Sequence, residues 1–394
     1  MQEFDAIRPY SDAEAPAVIR RLLKDREFLD MIARFRSPLL ARWLAPLVRV
    51  RVRRWLESRF SGLQRVDDMQ AQLSEQVSSL IGSTTTRVTH SGLENLDKHS
   101  AHLFMSNHRD IVFDPMLVNY LLFSNGFTTT RIAIGDNLLS NRVFAEMMRL
   151  NKSFVVRRNV ASPREMRNAF MTLSGFINHS INDNHSIWIA QREGRAKDGL
   201  DVTDPAIIKM FYMSCKKSGL SFAEAMNRLH IVPVSIAYEY DPCDVDKAKE
   251  LEERARTGQY QKAPDEDSAQ IIKGLTGFKG HVHVHFGKPV TDAPEFPWQM
   301  AERIDHDIQS NYHLHASNLA AYYFKMRQRQ PPGRTEGLAD EVVTAGAWSP
   351  ADLKTAETEL RHRMEACPEA ARPYLLDMYA NPVVSALKHS VKTG

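Results

Sequence analysis

Short runs rich in β-branched and apolar residues alternate with helical stretches from about residue 84 onward, and this alternation constrains the fold most strongly. Strands separated by helices usually lie side by side in one sheet, because a helical crossover lets neighbouring strands run parallel. The pattern predicts an α/β fold with a mostly parallel mixed sheet flanked by helices, and with N-terminal and C-terminal helical extensions. Candidate strands cover residues 86–89, 102–106, 129–134, 153–157, 186–190, 231–238 and 280–286, and candidate helices cover residues 114–123, 141–150 and 162–178.

The chain is expected to divide into three consecutive parts. Residues 1–83 form an N-terminal helical region, residues 84–328 form the α/β domain, and residues 341–394 form a C-terminal helical tail. The polar stretch QPPGRTEGLAD, at 330–340, is typical of a linker. The charged residues 243–270 are expected to form an excursion on the surface.

Composition excludes several classes of protein. The chain has 394 residues, 43% hydrophobic and 25% charged, which is enough to bury a sizeable core. A net charge of +3 is too small to indicate a nucleic-acid partner. Cys215, Cys243 and Cys367 form no paired motif, so we expect a reducing compartment and neither disulfides nor a zinc site. The start of the chain lacks the pattern of a signal peptide, and no apolar run reaches membrane-spanning length.

The segment SNHRDIVFDP places His108, Asp110 and Asp114 between a candidate strand and a candidate helix. The carboxyl ends of strands in α/β sheets are where sites are commonly built. A neutral imidazole takes a proton from a hydroxyl, and a carboxylate behind it fixes the tautomer. His108 is therefore a candidate general base, with Asp110 or Asp114 as its partner.

Other interpretations of this segment were weighed. Asp114-Pro115 is also typical of a helix N-cap followed by a first-turn proline. The tripeptide HRD occurs in protein-kinase catalytic loops, but Pro115 stands where those loops require asparagine, and a glycine-rich phosphate loop is missing.

Two later strands end in clusters of cations. SFVVRRN ends in Arg157 and Arg158, and guanidinium groups match phosphate oxygens bidentately. IWIAQREGRAKDG runs into a loop that suits an anion. The candidate binding residues of this loop are Arg192, Glu193, Gly194, Arg195 and Lys197. A fourth run, IVPVSIAY, contains Pro233, which predicts a strand start, an edge or a bulge.

Together, in this order, the four segments resemble the conserved blocks of the family that includes glycerol-3-phosphate acyltransferase and 1-acylglycerol-3-phosphate acyltransferase. The resemblance covers roughly residues 84 to 290. It implies transfer of a fatty acyl group from acyl-CoA or acyl-carrier protein, as co-substrate, to a glycerophosphate-type hydroxyl in phospholipid synthesis. No bound cofactor and no metal are implied.

The resemblance also implies roles for individual residues. His108 would deprotonate the acceptor hydroxyl, which attacks the thioester directly, and an aspartate would orient His108. Arg157 or Arg158, with Arg195, would hold the acceptor phosphate, and Glu193 and Gly194 would shape that pocket. The family places four residues between its histidine and aspartate, whereas here five separate His108 from Asp114 and one separates it from Asp110. We favour Asp114. The third block is also one residue shorter than in the glycerol-3-phosphate type, which leaves the acceptor open.

The N-terminal segment PLLARWLAPLVRVRVRRWLESRF, opened by Ser37-Pro38, combines arginines with tryptophan and leucine. Such a composition suits a helix at an anionic membrane surface, although a core-packing helix with a basic outer face fits too. We therefore expect a cytoplasmic protein, peripheral on the cytoplasmic face of a membrane. Two groups of histidines could bind a metal, namely the alternating His281, His283 and His285 and the pair His313 and His315. No metal site is expected, because acidic or cysteine partners are missing nearby.

Two alternatives to the leading function stay open. One is acyl transfer to another lysolipid or to an amino-lipid hydroxyl. The other is a non-catalytic membrane-binding scaffold on the same fold. Acyl-chain length and oligomeric state are not determined by the sequence.

Overall fold

The computed structural model describes residues 2–139, 141–158, 160–263, 266–329 and 348–390. Its sheet has seven strands in the order β1-β7-β6-β2-β5-β3-β4. The strands are β1 Arg87–Ser91, β2 Leu103–Ser106, β3 Arg131–Gly135, β4 Ser153–Val156, β5 Ile187–Ala190, β6 Ile231–Tyr238 and β7 His281–Phe286.

The pairs β1–β7, β2–β6 and β3–β4 are parallel, whereas β6 and β7 run antiparallel. The expected α/β class with a mostly parallel mixed sheet is therefore confirmed. Each candidate strand is present, and its ends differ from the expectation by at most two residues. All residues of β6 are buried. Pro233 directly precedes Val234, where the antiparallel pairing of β6 with β7 begins.

The helices of the first half of the chain are α1 Ala15–Leu22, α2 Arg26–Arg36, α3 Pro38–Trp43, α4 Ala45–Phe60, α5 Val66–Thr84, α6 Phe113–Ser124, α7 Arg142–Leu150 and α8 Pro163–Asn182. Those of the second half are α9 Pro205–Tyr212, α10 Phe222–Arg228, α11 Asp244–Thr257, α12 Glu266–Thr276, α13 Pro297–Ser310, α14 Ala316–Arg329, α15 Pro350–Ala366 and α16 Arg372–Ser390. Within the described residues, none of these helices has the length and apolar character needed to cross a bilayer.

The chain forms two compact units. The first unit contains residues 1–78 and 130–187, and the second contains residues 79–129 and 188–394. In the first unit, side chains of α1, α2, α4 and α5 share one apolar core with Val143 and Leu150 of α7. The expected boundary at residue 83 thus does not coincide with this division, because a later helix completes the core of the N-terminal helices.

The arginine-rich segment that follows Ser37 forms two helices rather than one. The chain leaves helical geometry at Leu44, with φ −126° and ψ 35°, and α4 begins at Ala45. Pro46 explains the break, since its ring lacks an N–H and clashes with the carbonyl four residues earlier.

In the second unit, the C-terminal helices α15 and α16 share an apolar core with α11 and α14. The linker at 330–340 and residues 341–347 of the expected tail lie outside the described residues. Helix α16 also contacts the loop after β5, where Asn381 Nδ2 donates to the Asp198 carbonyl at 2.7 Å. Gly199 in that loop has φ +75°, and a Cβ there would lie 2.3 Å from the Met378 carbonyl oxygen.

The contact between α16 and this loop can be tested by adding one methyl group. Gly199→Ala is expected to lower the free energy of unfolding by about 1–3 kcal/mol more than Gly194→Ala, because only the former forces a backbone clash. Gly194 is a matched control in the same loop, with φ +74° and no atom within 4 Å of an added Cβ. Denaturant unfolding of both variants measures the difference, and equal losses would contradict the tight packing of α16 on the loop.

Candidate active site

His108 lies in the turn that connects β2 to α6. Strand β2 is buried along its whole length, so the polar residues that follow it emerge at its carboxyl end. The turn is closed by Asp110, whose Oδ1 accepts hydrogen bonds from the backbone N–H of Val112, at 3.0 Å, and of Phe113, at 2.8 Å. Asp110 therefore satisfies two backbone donors at the start of α6.

Asp114 is the carboxylate that pairs with His108. Its side chain has no exposed surface, and its Oδ2 lies 2.8 Å from His108 Nδ1. The same oxygen accepts the backbone N–H groups of Arg109, at 2.6 Å, and Asp110, at 2.9 Å. The Tyr238 hydroxyl of β6 donates to Oδ1. An ionised carboxylate only accepts, so the hydrogen of His108 lies on Nδ1, and Nε2 carries the free lone pair.

The environment of His108 leaves its ring partly accessible. The side chain is 14% exposed, and its ring makes an edge contact with Trp188 at 5.5 Å between centroids. The extra residue between His108 and Asp114 is accommodated by the turn, so the longer spacing does not separate the pair. Capping is done by Asp110, whose pKa is raised by burial and by the nearby charge of Asp114.

A second set of buried polar groups supports the turn from behind. Asn107 Oδ1 accepts the Ile236 N–H at 2.8 Å, and Asn107 Nδ2 donates to Asp201 Oδ2 at 3.1 Å. Arg109 Nη2 donates to the same Asp201 oxygen at 2.6 Å. Burial alone would lower the pKa of Arg109. Nearby negative charges, that of Asp201 first, have the larger effect and keep the arginine pKa above its ordinary value. Sequence reasoning missed these residues, since Asp201 lies more than 90 positions away from its partners.

The expected surface excursion at 243–270 is wrong for part of its length. Lys247 of α11 is fully buried, and its Nζ donates to the Arg109 carbonyl at 2.7 Å and to an Asp241 carboxylate oxygen. Burial alone would raise the pKa of Asp241. The charge and hydrogen bond of Lys247 have the opposite effect, and the pKa of Asp241 lies below its ordinary value. Three charged residues of α11, Asp244, Lys247 and Glu250, are therefore buried, and each is paired with a residue of opposite charge.

The loop after β5 lies directly against the His108 turn. Its Ala196 N–H donates to the His108 carbonyl at 2.8 Å. Arg195 is buried and donates to Gln270 of α12, while its Nη1 is a buried atom with no hydrogen-bond partner among the described residues. Lys197 pairs with Glu250 of α11, and burial lowers the lysine pKa to about 8.

The other residues proposed for the anion site differ in exposure. Arg192 is half-buried, whereas Glu193 and Gly194 are exposed. Arg157 is exposed and Arg158 is half-buried, at the end of β4. The backbone N–H of Arg158 donates to Asp136 Oδ2 at 3.0 Å. Both arginines belong to the first unit, whereas His108 and the loop after β5 belong to the second.

Comparison with known proteins adds a family assignment. The protein-family model described as Acyltransferase matches residues 87–237, a range that contains the His108 turn and both cationic loops. The crystal structure of the 1-acyl-sn-glycerophosphate (LPA) acyltransferase PlsC from Thermotoga maritima is similar over 72% of this chain and 95% of its own. The identity is 14% and the TM-score is 0.36, so the assignment rests on the family model. No curated protein matches the chain. Residues 87–237 are therefore similar to the Acyltransferase family model, in the part of the chain where the four motifs lie.

Proposed function

We propose that this acyltransferase moves a fatty acyl group from acyl-CoA or acyl-carrier protein to the hydroxyl of a glycerophosphate-type acceptor, in phospholipid synthesis. The observation that carries the proposal is the His108–Asp114 pair. Its geometry holds Nδ1 on a buried carboxylate and leaves Nε2 as the base, which is the arrangement that proton transfer from an alcohol requires.

The reaction follows from that tautomer. His108 Nε2 takes the proton of the acceptor hydroxyl while the hydroxyl oxygen forms a bond to the thioester carbonyl carbon. The resulting tetrahedral oxyanion collapses, the carbon–sulfur bond breaks, and the thiolate receives the proton from the imidazolium. Asp114 stays ionised and stabilises the imidazolium between the two steps.

Cationic side chains are proposed to hold the acceptor phosphate. Arg157 presents an exposed guanidinium at a strand end, and Arg195 carries a buried Nη1 without a partner among the described residues. Guanidinium groups bind phosphate oxygens through paired, charge-assisted hydrogen bonds. Lys197 is a weaker candidate, because its ammonium already pairs with Glu250.

A membrane-binding surface is proposed on α3 and α4 of the first unit. Its exposed apolar residues are Leu40, Trp43, Leu44, Leu47 and Val50. Trp43 is 79% exposed and Leu47 is 67% exposed. Exposed arginines accompany them at positions 42, 51, 53 and 54. We call this set the α3–α4 surface.

The α3–α4 surface has the composition of an interfacial helix. Apolar side chains enter the acyl boundary of a bilayer, and arginines pair with anionic head groups. Arg49 is excluded from this role because Asp30 binds it through two hydrogen bonds, at 2.7 and 3.1 Å. Of the alternating arginines, Arg49 is therefore paired with Asp30, whereas Arg51 and Arg53 are exposed.

Removal of the base tests the chemistry. His108→Gln is expected to lower kcat/KM by about 10²–10⁴-fold, because the positioned base is lost while the shape of the side chain is largely kept. Thiol release is measured with long-chain acyl-CoA and with acyl-carrier protein, each with glycerol 3-phosphate or lysophosphatidate as acceptor. His362→Gln, at an exposed histidine of α15, is the control and should leave the rate unchanged.

Two outcomes would count against the enzyme proposal. One is thiol release that is independent of acceptor with both donors. The other is full activity in His108→Gln. Either would favour a membrane-binding scaffold on the same fold.

The phosphate site is tested by one arginine. Arg157→Gln is expected to raise the KM for a phosphate-bearing acceptor by about tenfold or more, because a charged hydrogen bond contributes roughly 1.5–3 kcal/mol. The KM for the acyl donor should change little. Arg167→Gln is the matched control, since Arg167 is an exposed arginine of the same unit. An unchanged acceptor KM in Arg157→Gln would show that Arg157 does not bind the phosphate.

Membrane binding is tested by flotation with vesicles that contain anionic lipid. The double variant Trp43→Ser/Leu47→Ser is expected to lose most of its binding, and Arg51→Gln/Arg54→Gln should weaken binding to anionic but not to neutral vesicles. Trp298→Ser is the control, because Trp298 is 53% exposed but belongs to the second unit and not to the α3–α4 surface. Binding that is the same in all these variants would contradict the assignment of the α3–α4 surface.

A further inference from the structure

We propose that His281, His313 and His315 form a binding site for one divalent transition-metal ion, with Zn²⁺ as the best match. The three histidines come from two places in the second unit. His281 begins β7, and the other two lie in the loop between α13 and α14. One ring nitrogen of each lies within 4.8 Å of those of the other two.

The rings already surround a common point. The ring centroids of His281 lie 5.0 Å from those of both His313 and His315, which are 4.8 Å apart. Tetrahedral zinc, with bonds of about 2.0–2.1 Å, requires ligand nitrogens about 3.4 Å apart. The ligand nitrogens, which lie within 4.8 Å of one another, would therefore have to approach by about 1.4 Å at most to hold an ion. Three imidazoles would leave a fourth position for water.

The chemistry of the cluster points to a transition metal. Imidazole nitrogens are the usual ligands of zinc, copper and nickel in proteins, and this site offers three of them.

Neighbouring groups orient two of the rings. The Thr89 hydroxyl lies 2.7 Å from His281 Nε2, and the Ala237 carbonyl lies 3.4 Å from His315 Nε2. Metal-binding histidines usually hydrogen-bond through the nitrogen that does not bind the ion. These contacts leave Nδ1 of His315 open, whereas Nδ1 of His281 becomes available only when the guanidinium of Arg87 moves away from it. His313 makes ring contacts but no hydrogen bond within the described part of the chain.

His283 is a supporting residue rather than a fourth ligand. Its Nδ1 lies 2.7 Å from the Thr89 hydroxyl and its Nε2 lies 3.1 Å from the Ser91 hydroxyl, so both nitrogens are occupied. Its ring lies 4.8 Å from that of His313. Arg87 opposes metal binding, since its Nη2 lies 3.3 Å from His281 Nδ1 and its charge repels a cation. Arg87 is exposed and can turn into solvent.

The three-histidine site lies on the opposite face of the sheet from Tyr238, whose hydroxyl binds Asp114. His281 and His283 alternate on β7 with Val282, which is paired with Tyr238 of β6. Residues directly opposite each other share a face, so Tyr238, which binds Asp114, lies on the other side. The metal would therefore lie on the opposite face of the sheet from Tyr238, and it would tie β7 to the loop that precedes α14.

Metal titration of the full chain, without an affinity tag and after treatment with chelator, tests the proposal. Zn²⁺ is expected to bind with one equivalent in calorimetry and to raise the melting temperature, and Co²⁺ should give the visible absorption of a tetrahedral site. His313→Gln should weaken binding by more than tenfold, since even loss of a supporting group typically reduces metal affinity about 10–100-fold. Arg87→Ala should tighten binding several-fold without altering any ligand.

Control variants separate this site from others. His108→Gln and His362→Gln should bind Zn²⁺ as the parent does. His306 and His389 form another close pair, with Nδ1 atoms 3.2 Å apart, so His306→Gln is included. The proposal is overturned if Zn²⁺ does not bind stoichiometrically, or if binding survives His313→Gln, ignores Arg87→Ala or is lost in His306→Gln.

Discussion

The carboxylate of Asp114 has no exposed surface, and it accepts hydrogen bonds from the His108 ring, two backbone N–H groups and the Tyr238 hydroxyl. An ionised group without solvent is stable only where donors replace its water, and here they come from the turn after β2 and from β6. The same carboxylate binds the backbone of the turn and orients the imidazole. The tautomer of His108 therefore depends on Asp114, whereas the shape of the turn depends on Asp114 together with Asp110.

Buried charge pairs form a second layer behind that turn. Arg109 pairs with Asp201, while Lys247 binds Asp241 and the Arg109 carbonyl. Buried ion pairs contribute little net stability, because desolvation offsets much of their attraction. Their effect here is geometric, since the Arg109 side chain and carbonyl are both held in place. The residue next to the base is thereby fixed from two directions.

Local patterns are enough to predict the strands and to single out His108 with an aspartate close to it in the sequence. Strand runs such as 231–238 are apolar and bounded by turn residues, so their positions depend on nearby sequence alone. Lys247 and Asp201 were not predicted, because a charge on a helix or in a loop shows its buried partner only when distant segments meet. The choice between Asp110 and Asp114 also required three dimensions, since both spacings permit a contact with His108. The break at Leu44 was missed although Pro46 carried a signal for it.

The C-terminal helices belong to the same packed unit as the base, which argues against regarding them as an appendage. Helix α16 lies on Gly199, where no side chain fits, and its Asn381 binds the Asp198 carbonyl. The same loop donates the Ala196 N–H to the carbonyl of His108. Backbone positions at both ends of this short loop are therefore fixed, one by α16 and one by the His108 turn. Because Lys197 lies between those contacts and Arg195 directly precedes them, the orientation of these cations relative to His108 depends on the packing of α16.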